Sequence, residues 1–329
     1  MKRLVTVAMV VTFLAAPALA SGAPDAPVSS ASPSVADLIA QAQKFVRSKD
    51  LQSALKAAQQ AVALGPNSAE AVVELGDIED DLGDHVDAII DYNKGITLNP
   101  DYAYAYETKC GTEIDLGKDT EAIADCTKAI GLDPKDEDAY RFRAEGKDDL
   151  GDQAGGLTDI DQALTIDATY ISAYNVKCGI LRDMGRYAES LAACNRSLAL
   201  DPTADYALYV RGRTYLAQAQ FDLAYADLSK FVAGEPDDEF GKIALARAQY
   251  GRGHAGDYDA ALANVNAYIA RHDSIDTAYL LRAQIDLKLG KTDDAKADAT
   301  SALRYARIGN DTDVATTAQS VLDSIATKP

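Results

Sequence analysis

The chain has 329 residues, of which 47% are hydrophobic and 25% charged, and a formal net charge of −19. That balance excludes the low hydrophobicity of a disordered chain. The 51 acidic against 32 basic residues leave no basic footprint for nucleic acid and disfavour an anionic membrane surface.

Lys2 and Arg3 precede an apolar run from Leu4 to Ala16, which ends in Pro17-Ala18-Leu19-Ala20. A basic start, a short apolar core and an Ala-x-Ala end predict a secretory signal peptide over 1–20, cleaved between Ala20 and Ser21. The apolar run is shorter than the roughly 20 residues of a membrane span. No cysteine follows the cleavage site to carry a lipid. The expectation is an exported chain, periplasmic or secreted and not embedded in a membrane. Residues 21–34 are Ser, Ala and Pro with almost no large apolar side chain, and they predict a flexible leader.

From residue 35 a period takes over. Pro66, Pro100, Pro134, Pro202 and Pro236 sit on one ruler of 34 residues, with Ala168 on the remaining mark. A fixed period in this range means stacked supersecondary units. Units start at 35, 69, 103, 137, 171 and 205, then at 239 and 276, the seventh carrying extra residues around Gly253-His254-Ala255. Unit position 15 holds Gly83, Gly117, Gly151 and Gly185, and later Gly256 and Gly290, where glycine ends a first helix in the left-handed region. Position 20 holds Ala54, Ala88, Ala122, Ala224, Ala261 and Ala295, small enough for two helices to approach closely. Apolar residues between these marks recur at three and four, as in Ala122, Ile123, Cys126, Ala129 and Ile130. Each unit reads as helix, tight turn, helix, stop. After 309, Val314, Ala318, Val321, Leu322 and Ile325 share one helical face, behind a cap at Asp311 or Thr312. Residues 310–329 therefore predict a capping helix and tail that cover the apolar flank of the last unit.

The pattern resembles the tetratricopeptide repeat family. In unit two the matching marks are Val72, Leu75-Gly76, Ala88, Tyr92, Gly95 and Pro100. Tyr106, Tyr140, Tyr174 and Tyr279 stand at position 4 where the family usually has Trp, and Gly156 and Ser190 replace alanine at position 20. The resemblance covers 35–309. It implies an all-α fold, a right-handed superhelical solenoid of about eight helix-turn-helix repeats.

The four cysteines obey the ruler too. Cys110 and Cys178 occupy position 8, and Cys126 and Cys194 occupy position 24 of the same two units. In the resembled repeat position 8 faces the second helix, so Cys110–Cys126 and Cys178–Cys194 bonds are sterically reasonable. Cross-pairing would span about 20 Å or more, two repeats of helices packed 8–10 Å apart, against a Cα separation below about 7 Å for a disulfide. Export supplies an oxidising compartment. The opposing possibility is four small buried hydrophobes at tight helix crossings.

No catalytic or metal constellation stands out. His85, His254 and His272 are placed in a turn, in the long turn of unit seven and at a helix end, and none has a metal-binding partner four residues away. There is no P-loop, nucleophile elbow or dinucleotide fingerprint, and the acidic run Asp77 to Asp81 lacks a calcium loop. No cofactor and no enzymatic activity are expected.

In the resembled family, first-helix positions 2, 5, 9, 12 and 13 line the inner surface. Units two to four put Asp77, Asp80, Asp81, Glu107, Glu145, Asp148 and Asp149 there, against Arg141 alone. Units six and seven put Tyr206, Tyr209, Arg213, Phe240, Arg247 and Tyr250 there. The resemblance thus implies a concave groove that is acidic toward one end and aromatic toward the other, fitted to a protein or peptide segment with basic and apolar parts. The competing reading is a solvated acidic face with tyrosines packed between units. The function expected is a non-catalytic interaction scaffold in the bacterial cell envelope. Alternatives are a chaperone-like holder of exported chains and, from another class, an acidic-groove hydrolase of cell-wall glycans. The sequence leaves oligomeric state open.

Overall fold

Helix starts are set by the side chains just before them. Ser34, Asp50, Ser68, Asp136, Asp152, Asp238 and Asp311 each accept a hydrogen bond from a backbone N–H of the following first turn. The computed structural model describes residues 32–272 and 274–327, and among these the chain forms 17 helices and no strand. The expected signal peptide (1–20), nearly all of the leader and the last two residues lie outside the described residues.

Eight helix pairs follow in order: α1 (Val35–Arg47) and α2 (Leu51–Leu64), α3 (Ala69–Asp81) and α4 (His85–Leu98), α5 (Ala103–Asp115) and α6 (Asp119–Leu132), α7 (Glu137–Asp149) and α8 (Gln153–Ile166), α9 (Ile171–Asp183) and α10 (Tyr187–Leu200), α11 (Asp205–Ala217) and α12 (Phe221–Gly234), α13 (Glu239–Arg252) and α14 (Asp257–Ile269), and α15 (Asp276–Lys288) and α16 (Thr292–Gly309). A last helix, α17 (Thr312–Ala326), is capped by Asp311 and buries Val314, Ala318 and Val321. It packs on α15 and α16, so the flank of the final repeat is covered.

Each helix packs on its successor along the chain. First helices also touch first helices of adjacent units, from α1 against α3 through to α13 against α15, whereas no second helix touches another second helix among the described residues. In a curved stack the row whose members are closer together is the inner one. The first helices therefore line the concave side of a superhelical solenoid. Ala54, Ala88, Ala122, Ala224, Ala261 and Ala295 are fully buried, which lets the two helices of a unit close on each other.

Between paired helices the backbone turns through the left-handed region. Gly83, Gly117, Gly151, Gly185 and Gly290 take positive φ, and a Cβ on any of them would meet nothing within 4 Å. The same position is held by Lys49 (φ 59°) in the first unit and Ala219 (φ 55°) in the sixth, so the turn is imposed there without glycine. In unit seven the expectation needs correcting. Gly253, which stands on position 15, closes the first helix after Arg252; the extra residues follow that glycine, and Gly256 instead precedes α14.

Two kinds of bond, both spanning 16 residues, tie the helices of five of the eight pairs. Cys110 is bonded to Cys126 and Cys178 to Cys194, with Cα atoms 5.5 and 5.3 Å apart. One position earlier in the unit, a cation on the first helix reaches an aspartate on the second. Arg143 forks onto Asp159 at 2.9 and 2.7 Å, Arg211 onto Asp227 at 2.7 and 2.7 Å, and Arg282 onto Asp298 at 2.6 and 2.7 Å. Lys109 meets Asp125 at 2.7 Å. Each of these arginines also donates to the preceding unit, to Thr127, Asn195 and Asn266 respectively. One planar guanidinium, with five donors in a fixed fork, thus holds two repeats.

Candidate functional site

Three cavities follow one another along the first-helix face. The N-terminal one, about 420 Å³, lies over α3 and α5 and is lined by Asp77, Asp80, Asp81 and Glu107 together with Tyr92, Tyr104 and Phe142. The middle one, about 430 Å³, is lined by Glu145, Asp148, Asp149 and Tyr206 with Arg141 and Asn175. The C-terminal one is the largest, about 710 Å³, and takes Tyr209, Arg213, Phe240, Arg247 and Tyr250. The groove residues named above each line one of the three, whereas Glu70 and Asp138, at position 2 of units two and four, line none of them. The lining residues are not gathered into one site but spread along the face.

In the N-terminal cavity carboxylates crowd together. Asp77 accepts a hydrogen bond from the Tyr104 hydroxyl at 3.0 Å. Burial, aided by the charge of Glu74 and Asp80, pushes its pKa up to about 7. Asp80 meets His85 Nδ1 at 2.7 Å; His85 is the first residue of α4 rather than part of a turn. Glu107 is only 9% exposed and has no hydrogen-bond or ion-pair partner among the described residues. Burial first, and then Asp136, Asp138 and Asp77, raise its pKa to about 8.

The middle cavity is braced by Arg141, whose guanidinium bonds Glu145 at 2.9 Å, the Tyr170 hydroxyl at 2.6 Å and Asp138 at 3.3 Å. Its charge is spent within the wall. Burial raises the Glu145 pKa and Arg141 opposes the rise.

The C-terminal cavity has a different character. Phe240 is 52% exposed, and its ring lies 6.2 Å from that of Tyr268. Tyr209 packs 5.1 Å from Phe231, and the Arg213 guanidinium sits 5.3 Å over the Tyr209 ring. Arg247 has no hydrogen-bond or ion-pair partner among the described residues; desolvation in the cavity wall, with Arg213 alongside, depresses its pKa. The tyrosines both line the cavity and pack between units.

Some lining residues escaped the sequence reading. Arg47, Leu280 and Gln284 occupy the same positions 13, 5 and 9 of the first and last units, and applying the register there would have found them. Tyr268 comes from a second helix, at position 27 where other units carry alanine. A large side chain on a mark that four units fill with alanine was its signal, and Phe231 shares that mark in unit six. Phe142 enters because Gly111 leaves it room: a Cβ there would lie 2.7 Å from the ring. Of the remaining histidines, His272 bonds Glu239 at 2.7 Å and His254 lies 3.9 Å from Asp222. Among the described residues no group of three or more His, Cys, Asp and Glu could hold a metal ion, and no helix is long and apolar enough to cross a membrane.

Helix pairs stacked in one direction, with a cavity-bearing concave face, define a helical repeat solenoid. The sequence matches the tetratricopeptide repeat family over residues 39–103 and again over 112–136. The fold is similar to that of a tetratricopeptide repeat protein from Parabacteroides merdae, with a TM-score of 0.51 and 18% identity over 89% of this chain and 99% of that one. It is also similar to a chain of the APC/C hetero-tetramer Cut9–Hcn1, with a TM-score of 0.68 and 13% identity over 88% of this chain and 55% of that one. This chain thus spans about half the length of the second. Comparison with curated proteins gives no match. The chain carries tetratricopeptide repeats over 39–103 and 112–136, and its fold is the helix-turn-helix solenoid of such repeats.

Proposed function

We propose that the protein is a non-catalytic interaction scaffold of the bacterial cell envelope, whose concave face holds a segment of another protein that carries basic and apolar parts. The observation that carries this reading is the division of the face: carboxylates line the two cavities nearer the N-terminus, and aromatic and arginine side chains the largest cavity nearer the C-terminus. Aromatic and arginine side chains are frequent anchors of interfaces, and an acidic wall steers basic segments toward it. The two disulfides are compatible with an oxidising compartment, and the basic-apolar start of the sequence supports export.

The test is affinity capture from an envelope extract at low and high salt, with Tyr209→Ala/Tyr250→Ala and Asp77→Lys/Asp81→Lys variants alongside. One partner kept at high salt and lost in the tyrosine variant is the expected result. Many clients lost together at high salt would instead make the protein a holder of exported chains. Capture of nothing by any version would sink both binding readings.

A further inference from the structure

Burying a carboxylate costs several kcal/mol unless a cation or hydrogen-bond donors replace the lost water. Most buried carboxylates of this chain obey that rule: Asp159, Asp227, Asp257 and Asp298 each receive an arginine fork or an arginine and a lysine. Glu107 breaks it. It is 9% exposed, stands in the wall of the N-terminal cavity, and has no donor or counter-ion bonded to it among the described residues. Arg141 acts on it through charge, yet the hydrogen bonds of Arg141 go to Glu145, Tyr170 and Asp138.

Arg47 excepted, the rest of the cavity is complementary to a cation. Asp77 and Asp81 place two more carboxyl groups on the facing helix α3, and the rings of Tyr104 and Phe142 share the wall. Phe142 already carries a guanidinium on one face, with Arg141 3.7 Å from its ring centroid. Aromatic faces beside carboxylates are the setting in which a desolvated ammonium or guanidinium group is held best. A volume of about 420 Å³ leaves room for a long side chain.

We propose that the N-terminal cavity is a receptor for one basic side chain, lysine or arginine, projecting from the bound segment, with Glu107 as its buried counter-ion. This rests on the groove-binding reading and sharpens it: the acidic half recognises a basic residue at one position rather than positive charge in general. A buried, single-partner contact fixes the register of the segment along the groove, which a solvated acidic face could not do.

The test uses the full chain and small probes: N-acetyl-arginine amide and N-acetyl-lysine amide, with N-acetyl-norleucine amide as the uncharged control. Binding is followed by nuclear magnetic resonance shifts of backbone amides in α3 and α5. The expected result is saturable binding of at least one basic probe and none of the control. Affinity should drop about tenfold or more in Glu107→Gln, an isosteric change that removes the carboxyl group able to ionise against a bound cation, and change less than about twofold in Glu121→Gln, on an exposed second-helix face. Shifts that grow without saturation, or saturable binding untouched by Glu107→Gln, would overturn the proposal. The outcomes are separable from those of the capture experiment: probes that bind a chain capturing no protein would leave this pocket standing and reject the scaffold. Captured partners without probe binding would do the reverse.

Discussion

Arg211 and Asp227 face each other across the two helices of the sixth repeat, joined by two hydrogen bonds of 2.7 Å each. The fork fixes the crossing of the pair, and its third nitrogen donates to Asn195 of the preceding repeat at 2.6 Å. Removing the arginine leaves a nearly buried carboxylate without its cation. Arg211→Ala is expected to lower stability by about 3 kcal/mol, read as a lower midpoint in urea unfolding. Adding Asp227→Asn should restore part of the loss, because the stranded charge goes too. A single substitution costing nothing would show that water replaces the fork.

The left-handed turns give a prediction of opposite sign at two kinds of site. Lys49 and Ala219 hold positive φ with a Cβ in place, while Gly83 holds it without one. A side chain in that region costs about 1–2 kcal/mol. Ala219→Gly should therefore stabilise by roughly 1 kcal/mol and Gly83→Ala destabilise by about as much. Nothing lies within 4 Å of a Cβ at Gly83, so the second change isolates backbone strain from packing.

Glu107 and Asp77 make stability depend on pH in a direction unusual for carboxylates. Their folded pKa values, about 8 and about 7, lie above the ordinary 4.5 and 3.8. Between about pH 4 and pH 8 the folded chain retains protons that the unfolded chain has released, so the stability these groups confer falls as pH rises through that window. Glu107→Gln should flatten the fall and raise the melting temperature at pH 8.5. The gain should be at least the roughly 1.4 kcal/mol that one unit of pKa represents. An unchanged profile would mean that Glu107 is ionised and solvated.

Each disulfide closes a short loop between paired helices. In the chain-entropy view a loop of this length contributes about 3 kcal/mol per bond. Denaturant midpoints with and without reductant measure the sum. Cys110→Ala/Cys126→Ala should remove about half of it and leave the remainder sensitive to reductant.

Arg247 should behave as a side chain kept for an interface rather than for folding. It has no hydrogen-bond or ion-pair partner among the described residues, and Arg213 alongside repels it. Arg247→Gln is expected to shift stability by no more than about 0.5 kcal/mol while weakening capture of the partner.

The repeat architecture was legible because its marks are local. A proline stop, a turn glycine and a small residue at a helix crossing each act within one unit, and the 34-residue ruler lines them up. The boundaries of most helix pairs follow from them, unit seven excepted. The ion pairs were legible in principle, since Arg211 and Asp227 stand one position before the marks of the cysteine pairs, but a charge on a helix reads as solvated until burial is known. Burial also separates Glu107 from Asp81: both are groove carboxylates by register, yet Asp81 is exposed and Glu107 is not. The surroundings of Glu107 include residues of the next unit, such as Phe142, which settles over Gly111 in the same cavity wall. The turn at Gly253 was misplaced although that glycine stands on position 15: the insertion offers Gly253 and Gly256 alike, and the end of α13 at Arg252 puts the extra residues after the first.

The outer row of second helices has no lateral contacts among the described residues, while both disulfides stay inside single repeats. Mechanically the molecule is a column of stiff vertebrae in which every joint between neighbours includes a first helix. Stretching or winding it would change the pitch between neighbours without breaking any one of them, and would widen or narrow all three cavities in concert. A guest seated across two or more repeats would then set the curvature of its host, and repeats far from the contact would report its arrival as a change in the length of the whole spring.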